Sequence, residues 1–397
     1  MKSLIKKDLY NYTVYFMILV LFFSKALPNI GLIVLTILFF IDFDFKVFKP
    51  NFSAKSILLF LLLYLIIKST FYNNLSLDFR VYKGLLLLFW IYILLNKIED
   101  IKTLKAVILI GINACVLVSV FLISIFFFQT GILPFSNTAE VNKLLLLERP
   151  YIGFIAVLGF LLALEKAISI SKWRILYIFN SIALLAFILL ISARISIITI
   201  FVIAGIYFLF YFKVKWYNKI LYALALIILF ASIIISNKNI RERFFIKNNF
   251  EESLQQASDY EPRIVIWNCA YKMTKLDDFN ALTGFDGYET IKNHFLDCYA
   301  SSIENQSKKE YFLSEKFNSH NQFIDFYLIG GIIAFLLFIA FFIKLFLEVK
   351  LDFFKIATAI SFLLFFIVEN IFYRQFGCYL FGIFILILLQ TKPNEEN

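Results

Sequence analysis

Apolar runs long enough to enter a lipid bilayer recur through this chain, and no water-soluble core can absorb them all. Of its 397 residues 61% are hydrophobic and only 17% charged, outside the range of a soluble domain. In hydrocarbon every backbone polar group must be bonded within the protein, so the runs are read as helices. The most constraining run is 175–212, interrupted by a single charge, Arg194. As one helix it would extend about 57 Å at ~1.5 Å per residue, against a hydrocarbon core of ~30 Å. It therefore makes two spans, with a turn at Ser192-Ala193-Arg194.

The same reading places spans at 10–24, 30–41, 57–67, 81–95, 106–128, 151–164, 220–235, 323–346, 356–368 and 376–389. With the divided run these make about twelve transmembrane helices, and the fold class is an all-α polytopic membrane protein. One long polar segment, 237–319, separates the ninth span from the tenth. The expected division is thus 1–236, nine spans; 237–319, a loop domain; and 320–397, three spans with a short tail. The first span lacks a small-residue cleavage site and is expected to remain as an anchor.

Charge placement sets the orientation. The net charge of +10 is carried by lysines clustered in alternate short segments, including Lys97, Lys102, Lys105, Lys213, Lys215, Lys219, Lys350 and Lys355. Such clusters mark the cytoplasmic side, which places both termini inside and the long segment outside, on the periplasmic face of an inner membrane. The long segment itself is nearly balanced in charge, which argues against nucleic acid as a partner. Cys115 and Cys378 fall in apolar runs as packing residues. Cys269 and Cys298 lie in the long segment and are able to pair if it faces an oxidising compartment.

The expected outer face collects arginines at span ends and in the long segment: Arg80, Arg149, Arg194, Arg263 and Arg374. Guanidinium forks bind phosphate oxygens bidentately and keep their charge in poor solvent, as a lipid pyrophosphate site requires. The alternative is that each snorkels to the interface or pairs with a carboxylate such as Glu148 or Glu369. His320, at the outer end of the tenth span, is suited to act as a base on a hydroxyl nucleophile, or else to serve as a hydrogen-bonded structural residue. His294 has no such position. Asp42-Phe43-Asp44 has the form of a metal-holding acidic pair, but falls on the inner side and is set aside.

Ser319-His320-Asn321-Gln322-Phe323-Ile324-Asp325, followed by Gly330-Gly331, resembles the His-Asn motif of the O-antigen ligase and polymerase family of bacterial envelope glycan enzymes. Arg263-Ile264-Val265-Ile266-Trp267 followed by Gly284-Phe285-Asp286-Gly287-Tyr288 is similar to the family's Arg-x-x-x-Trp and glycine-turn segment. Ser192-Ala193-Arg194 resembles its Ser-Arg turn, with Ala193 intervening between residues that are commonly adjacent.

The resemblance implies a C-type glycosyltransferase-like fold. It also implies a metal-independent, cofactor-free transfer of a glycan from an undecaprenyl-pyrophosphate carrier to a lipid A core or glycan acceptor. By it, His320, Arg263 and Arg194 would be catalytic, and Arg149, Arg374, Trp267 and Asn321 would bind substrate. A repeat-unit polymerase is the alternative within the family. A polysaccharide flippase or secondary transporter is the alternative outside it, although the polar residues gather at one face rather than at midplane.

Overall fold

The computed structural model of the protein describes residues 2–41, 52–133, 138–169, 172–236 and 261–390. Asp42, Asp44, Arg241 and Arg243 fall outside them. The elements are α1 (Lys2–Leu21), α2 (Leu27–Ile41), α3 (Ala54–Phe71), α4 (Phe79–Leu95), α5 (Ile101–Thr130), α6 (Thr138–Leu144), α7 (Arg149–Ile168) and α8 (Arg174–Leu190). Then come α9 (Arg194–Ile206, continued by a π-helical turn), α10 (Trp216–Ser236), α11 (Pro262–Met273), α12 (Tyr288–Ser302), α13 (Gln306–Glu315), α14 (Gln322–Val349), α15 (Phe353–Val368) and α16 (Gln375–Leu389). A 3₁₀ turn, Ile371–Tyr373, joins the last two. No β-strand occurs among the described residues.

Each expected apolar run forms a helix, and the division of 175–212 falls where the length argument put it. Ile191 and Ser192 end α8, Ser192 takes a left-handed conformation (φ 51°), and α9 begins at Arg194. Polar side chains set other ends by accepting orphan N–H groups. Ser24 Oγ accepts from Ala26 and Leu27 ahead of α2, and Asp100 Oδ1 accepts from Thr103 at 2.9 Å to open α5. Among the described residues, six helices are long and apolar enough to cross a membrane, where the sequence reading expects twelve. α2, α8, α15 and α16 are apolar but only 15, 17, 16 and 15 residues long, short of the ~20 that span hydrocarbon without tilt or thinning. The chain is an all-α membrane protein.

Contacts divide the chain into two compact units. The first comprises Met1–Val47, Leu94–Lys247 and Lys350–Leu364. In it α7 is the central helix, packed by α5, α8 and α9, and the Lys105–Glu165 ion pair at 2.6 Å ties α5 to α7. The second comprises Phe48–Ile93, Asn248–Val349 and Phe365–Asn397, and so holds α3, α11 to α14 and α16. Its core is aromatic: Phe366 meets Phe338, Phe372 and Phe381 at ring distances of 5.2, 5.1 and 5.1 Å. Among lipid-facing helices such packing, rather than water exclusion, holds the elements together.

Within this second unit α14 is broken. Gly331 has φ 62° and ψ −161°, and the helix resumes beyond it. The groups released by the break are taken up by the glycine-turn segment: Phe285 N–H donates to Leu328 O at 2.9 Å, and Ile332 N–H to Ala281 O at 2.9 Å. Only glycine fits the break, since a Cβ on Gly331 would lie 2.3 Å from the Leu282 carbonyl. The loop is also anchored from α3, where the buried Lys68 ammonium donates to Phe285 O. Asp78, just before α4, accepts from Tyr288 N–H at 2.7 Å and from Ser69 at 2.7 Å, which fixes the start of α12.

Gly331→Ala is therefore expected to destabilise the folded protein by more than the ~1–2 kcal/mol of a left-handed alanine, because the loop must also move. Thermal unfolding in detergent should show a lower midpoint than wild type. An unchanged midpoint would mean that the loop does not depend on the break.

Candidate functional site

The site begins with α11, whose first turn follows from Pro262 at the helix start. Arg263 and Trp267 are four residues apart and so lie on one face. Trp267 Nε1–H donates to Ser319 O at 3.0 Å. Arg263 bonds through all three nitrogens with three of its five N–H groups: Nη2 to Glu369 Oε1 at 3.0 Å, Nε to Val368 O at 3.2 Å and Nη1 to Glu261 Oε1 at 3.4 Å. One helix thus holds both the turn before α14 and the turn after α15.

The turn before α14 carries His320 in a left-handed conformation, φ 43°, which costs on the order of 1–3 kcal/mol in a non-glycine residue. Its neighbours impose it. His320 N–H donates to Asn318 Oδ1 at 3.1 Å, and Asn321 Oδ1 caps α14 by accepting from Phe323 and Ile324 at 2.9 and 3.1 Å. Ser319, wholly buried, is bound by Asn370 Nδ2 at 2.9 Å, and Asn370 also reaches Asp325 Oδ1 at 3.2 Å. Phe372 N–H donates to Gln322 at 3.2 Å.

Glu369 is the point on which these elements converge. Its side chain is 7% exposed, with Arg263 on one oxygen and His320 Nδ1 3.6 Å from the other. Burial works to raise its carboxyl pKa, yet the adjoining His320 and the charges of Arg263 and Arg374 bring it below its ordinary value. A carboxylate facing Nδ1 favours the tautomer with the proton there, which leaves Nε2 as a proton acceptor. The half-buried His320 ring also packs against Phe317 at 5.6 Å.

Of the residues nominated from sequence, the second unit brings together Arg263, Trp267, His320 and Asn321, with Arg374 at the start of α16, exposed and close enough to act on Glu369. Arg263 pairs with Glu369, the carboxylate weighed for it, and keeps two of its five N–H groups for another ligand among the described residues. Arg149 and Arg194 belong to the first unit, as the opening residues of α7 and α9. Those two helix starts pack closely: a Cβ on Gly153 would lie 2.6 Å from both Ala193 and Ser196. Arg149 is buried and Arg194 half-buried.

His294 is elsewhere, with Nε2 2.7 Å from Asp278 and its ring on Phe285. Cys269 and Cys298 form a disulfide that joins α11 to α12. Ser319 and Asp325 stand in the His-Asn motif without a role of their own, and Asn370 is not singled out in the sequence. The sole hint was a Glu-Asn pair between two apolar runs, which by itself reads as a turn.

Because the pKa of Glu369 is depressed, the unfolded chain binds the extra proton, and the stability this group gives is present at neutral pH. It is lost as pH falls below the ordinary carboxylate range toward the folded-state value. Thermal midpoints of the purified protein should therefore drop on acidification through that range, and Glu369→Gln should lower the neutral midpoint and flatten the dependence. Removing one partner of a buried pair costs about 3–5 kcal/mol. A wild-type profile in Glu369→Gln would exclude this carboxylate as its source.

Residues 179–339 match the family model described as O-antigen ligase. The match includes Arg194, Arg263, Trp267, His320 and Asn321 and leaves Arg149, Glu369 and Arg374 outside. No curated protein matches the chain.

Proposed function

We propose, from the match of residues 179–339 to the O-antigen ligase family model and the all-α membrane fold, that the chain transfers a glycan from an undecaprenyl-pyrophosphate carrier to an acceptor hydroxyl at the periplasmic face. The observation that carries this reading is the Arg263–Glu369–His320 chain, in which a paired, buried carboxylate aims a histidine held in a strained turn.

In this mechanism His320 Nε2 takes the proton of the acceptor hydroxyl as its oxygen attacks the anomeric carbon. The bond from that carbon to the carrier pyrophosphate breaks, and the leaving group departs with the electron pair. Negative charge then grows on the pyrophosphate, and preorganised guanidinium groups stabilise it as it forms. The N–H groups of Arg263 left over from its bonds, with Arg374 of the same unit, are suited to that role. Trp267 and Asn321 act through the turn they hold: the indole fixes the carbonyl before His320, and the amide caps the helix after it. The acceptor is lipid A core or another glycan, and no nucleotide sugar enters the reaction.

General-base assistance contributes about 10²–10⁴-fold, so His320→Ala should lower transfer by that factor with normal accumulation and leave the lipid-linked glycan unconsumed in cells. Arg263→Lys should also lose most activity, because one ammonium cannot serve Glu369, the Val368 carbonyl and a phosphate together. Wild-type transfer by a stable His320→Ala protein would remove the histidine from the mechanism.

The Cys269–Cys298 disulfide supports an oxidising, periplasmic setting for the polar segment. Reporter fusions at Ser258 and Asn397 are expected to report opposite sides, periplasm and cytoplasm. Finding both on one side would overturn the orientation and the face assigned to the site.

A further inference from the structure

The contact between Glu369 and His320 is too long to hold itself. Oε2 and Nδ1 are 3.6 Å apart, beyond the ~2.7–3.2 Å of a hydrogen bond between nitrogen and oxygen. Other bonds must keep the two groups facing each other. Arg263 fixes the second oxygen of Glu369, and Trp267 fixes the Ser319 carbonyl, but both do so from α11. A link that runs directly from one turn to the other is made by Asn370, the residue after Glu369. Its Nδ2 donates at 2.9 Å to the hydroxyl of Ser319, the residue before His320.

Ser319 has one hydroxyl proton, and its nearest acceptor is Asn321 O at 3.0 Å. The hydroxyl thus receives Asn370 on its oxygen and donates to the residue after His320, so both neighbours of the histidine are joined to the Glu369 turn. The second N–H of Asn370 reaches Asp325 Oδ1 at 3.2 Å, one turn into α14. Phe372 N–H, on Gln322 at 3.2 Å, makes the next link between the same segments. Ser319, Asp325 and Asn370 are all buried, so a bond lost among them is not replaced by one to bulk water.

We infer that Asn370 is a positioning residue for His320: acting through Ser319, it holds imidazole Nδ1 at the Glu369 carboxylate and so keeps Nε2 open to accept a proton. Its consequence for catalysis rests on the glycan-transfer reading above, but the tautomer it sets is measurable without transfer. Arg263 cannot replace it, since it grips Glu369 without touching the His320 turn. Trp267 cannot either, since it grips Ser319 from α11 and not from the turn that carries Glu369.

The chain has two histidines, which allows a direct reading. The test is nitrogen-15 NMR of the full chain in nanodiscs, labelled in its imidazoles and kept in alkaline buffer, with His320→Ala to assign the signals. In wild type His320 should carry its proton on Nδ1, and His294, whose Nε2 lies 2.7 Å from Asp278, should show the opposite form. In Asn370→Ala the Nε2–H form of His320 should rise severalfold while the His294 signals stay in place. The kcat for glycan transfer should fall about ten- to a hundredfold at unchanged KM for the lipid-linked donor, the scale of a small misplacement of a reacting group. Ser319→Ala removes the hydroxyl that the amide binds and should give the same spectrum, and the double variant should add little, because both changes cut one link. A wild-type His320 spectrum in Asn370→Ala overturns the inference whatever the thermal midpoint does, and leaves Asn370 a purely structural residue. An Nε2–H form of His320 in wild type overturns it as well. If Asn370→Ala does not accumulate, Ser319→Ala decides on the same terms. A tautomer shift in the variants, with no transfer by wild type, would sink the transfer reading and leave the positioning role in place.

Discussion

A buried carboxylate is tolerable only where its charge is answered, and in the second unit three segments meet to answer that of Glu369. Left alone in a low-dielectric interior it would protonate, because desolvation opposes the ionised form. Arg263 on α11, His320 on the turn before α14 and Arg374 at the start of α16 keep it ionised. The cluster is at once a structural joint and an electrostatic device. The same contacts that draw the polar segment onto the turn at 368–370 also set a carboxylate oxygen 3.6 Å from Nδ1 of His320, a neighbour that favours a proton on that nitrogen. A hydrophobic joint of equal strength would hold the segments together and leave the imidazole undirected.

The break in α14 explains how a polar segment reaches that joint from outside the bundle. An intact helix satisfies its own backbone and offers a loop nothing but side chains. By turning at Gly331, α14 releases carbonyl and amide groups, and the 281–285 backbone pairs with them. Non-helical backbone at such a place is tolerated because protein, rather than lipid, covers it. Lys68 and Asp78 add anchorage from α3 and the turn after it, Lys68 at the Phe285 carbonyl and Asp78 at the Tyr288 N–H that opens α12.

How much of this was legible follows from the range of the forces involved. The helices could be read because burial in lipid demands long apolar runs, and 175–212 even gave its own turn by exceeding a bilayer. His320, Arg263 and Trp267 could be nominated because each sits in a short local pattern at the edge of an apolar run. The partnership with Glu369 is separated by 106 residues from Arg263, and nothing local distinguishes it from pairing with Glu148. Trp267 and Asn321 show the same limit: an indole and an amide next to a motif suggest ligand contacts. Whether they are spent on Ser319 and on capping α14 depends on tertiary placement. The helix break was hidden for a related reason, since Gly330-Gly331 in an apolar run is equally compatible with close packing of an unbroken helix.

The disulfide shows why α11 can carry this load despite its length. A 12-residue helix rich in polar neighbours is marginal alone, and most of its stability must come from what it touches. Cys269, two residues past Trp267, links it to Cys298 on α12, a helix whose start is already held through Asp78. Closing a loop of 29 residues removes chain entropy worth about 3–4 kcal/mol from the unfolded state. That is comparable to the cost of breaking the buried Arg263–Glu369 pair, so the covalent link and the ion pair are matched supports at the two ends of one short helix. The link holds α11 against α12, while Arg263 and Trp267 on the same helix reach Glu369 and the carbonyl of Ser319.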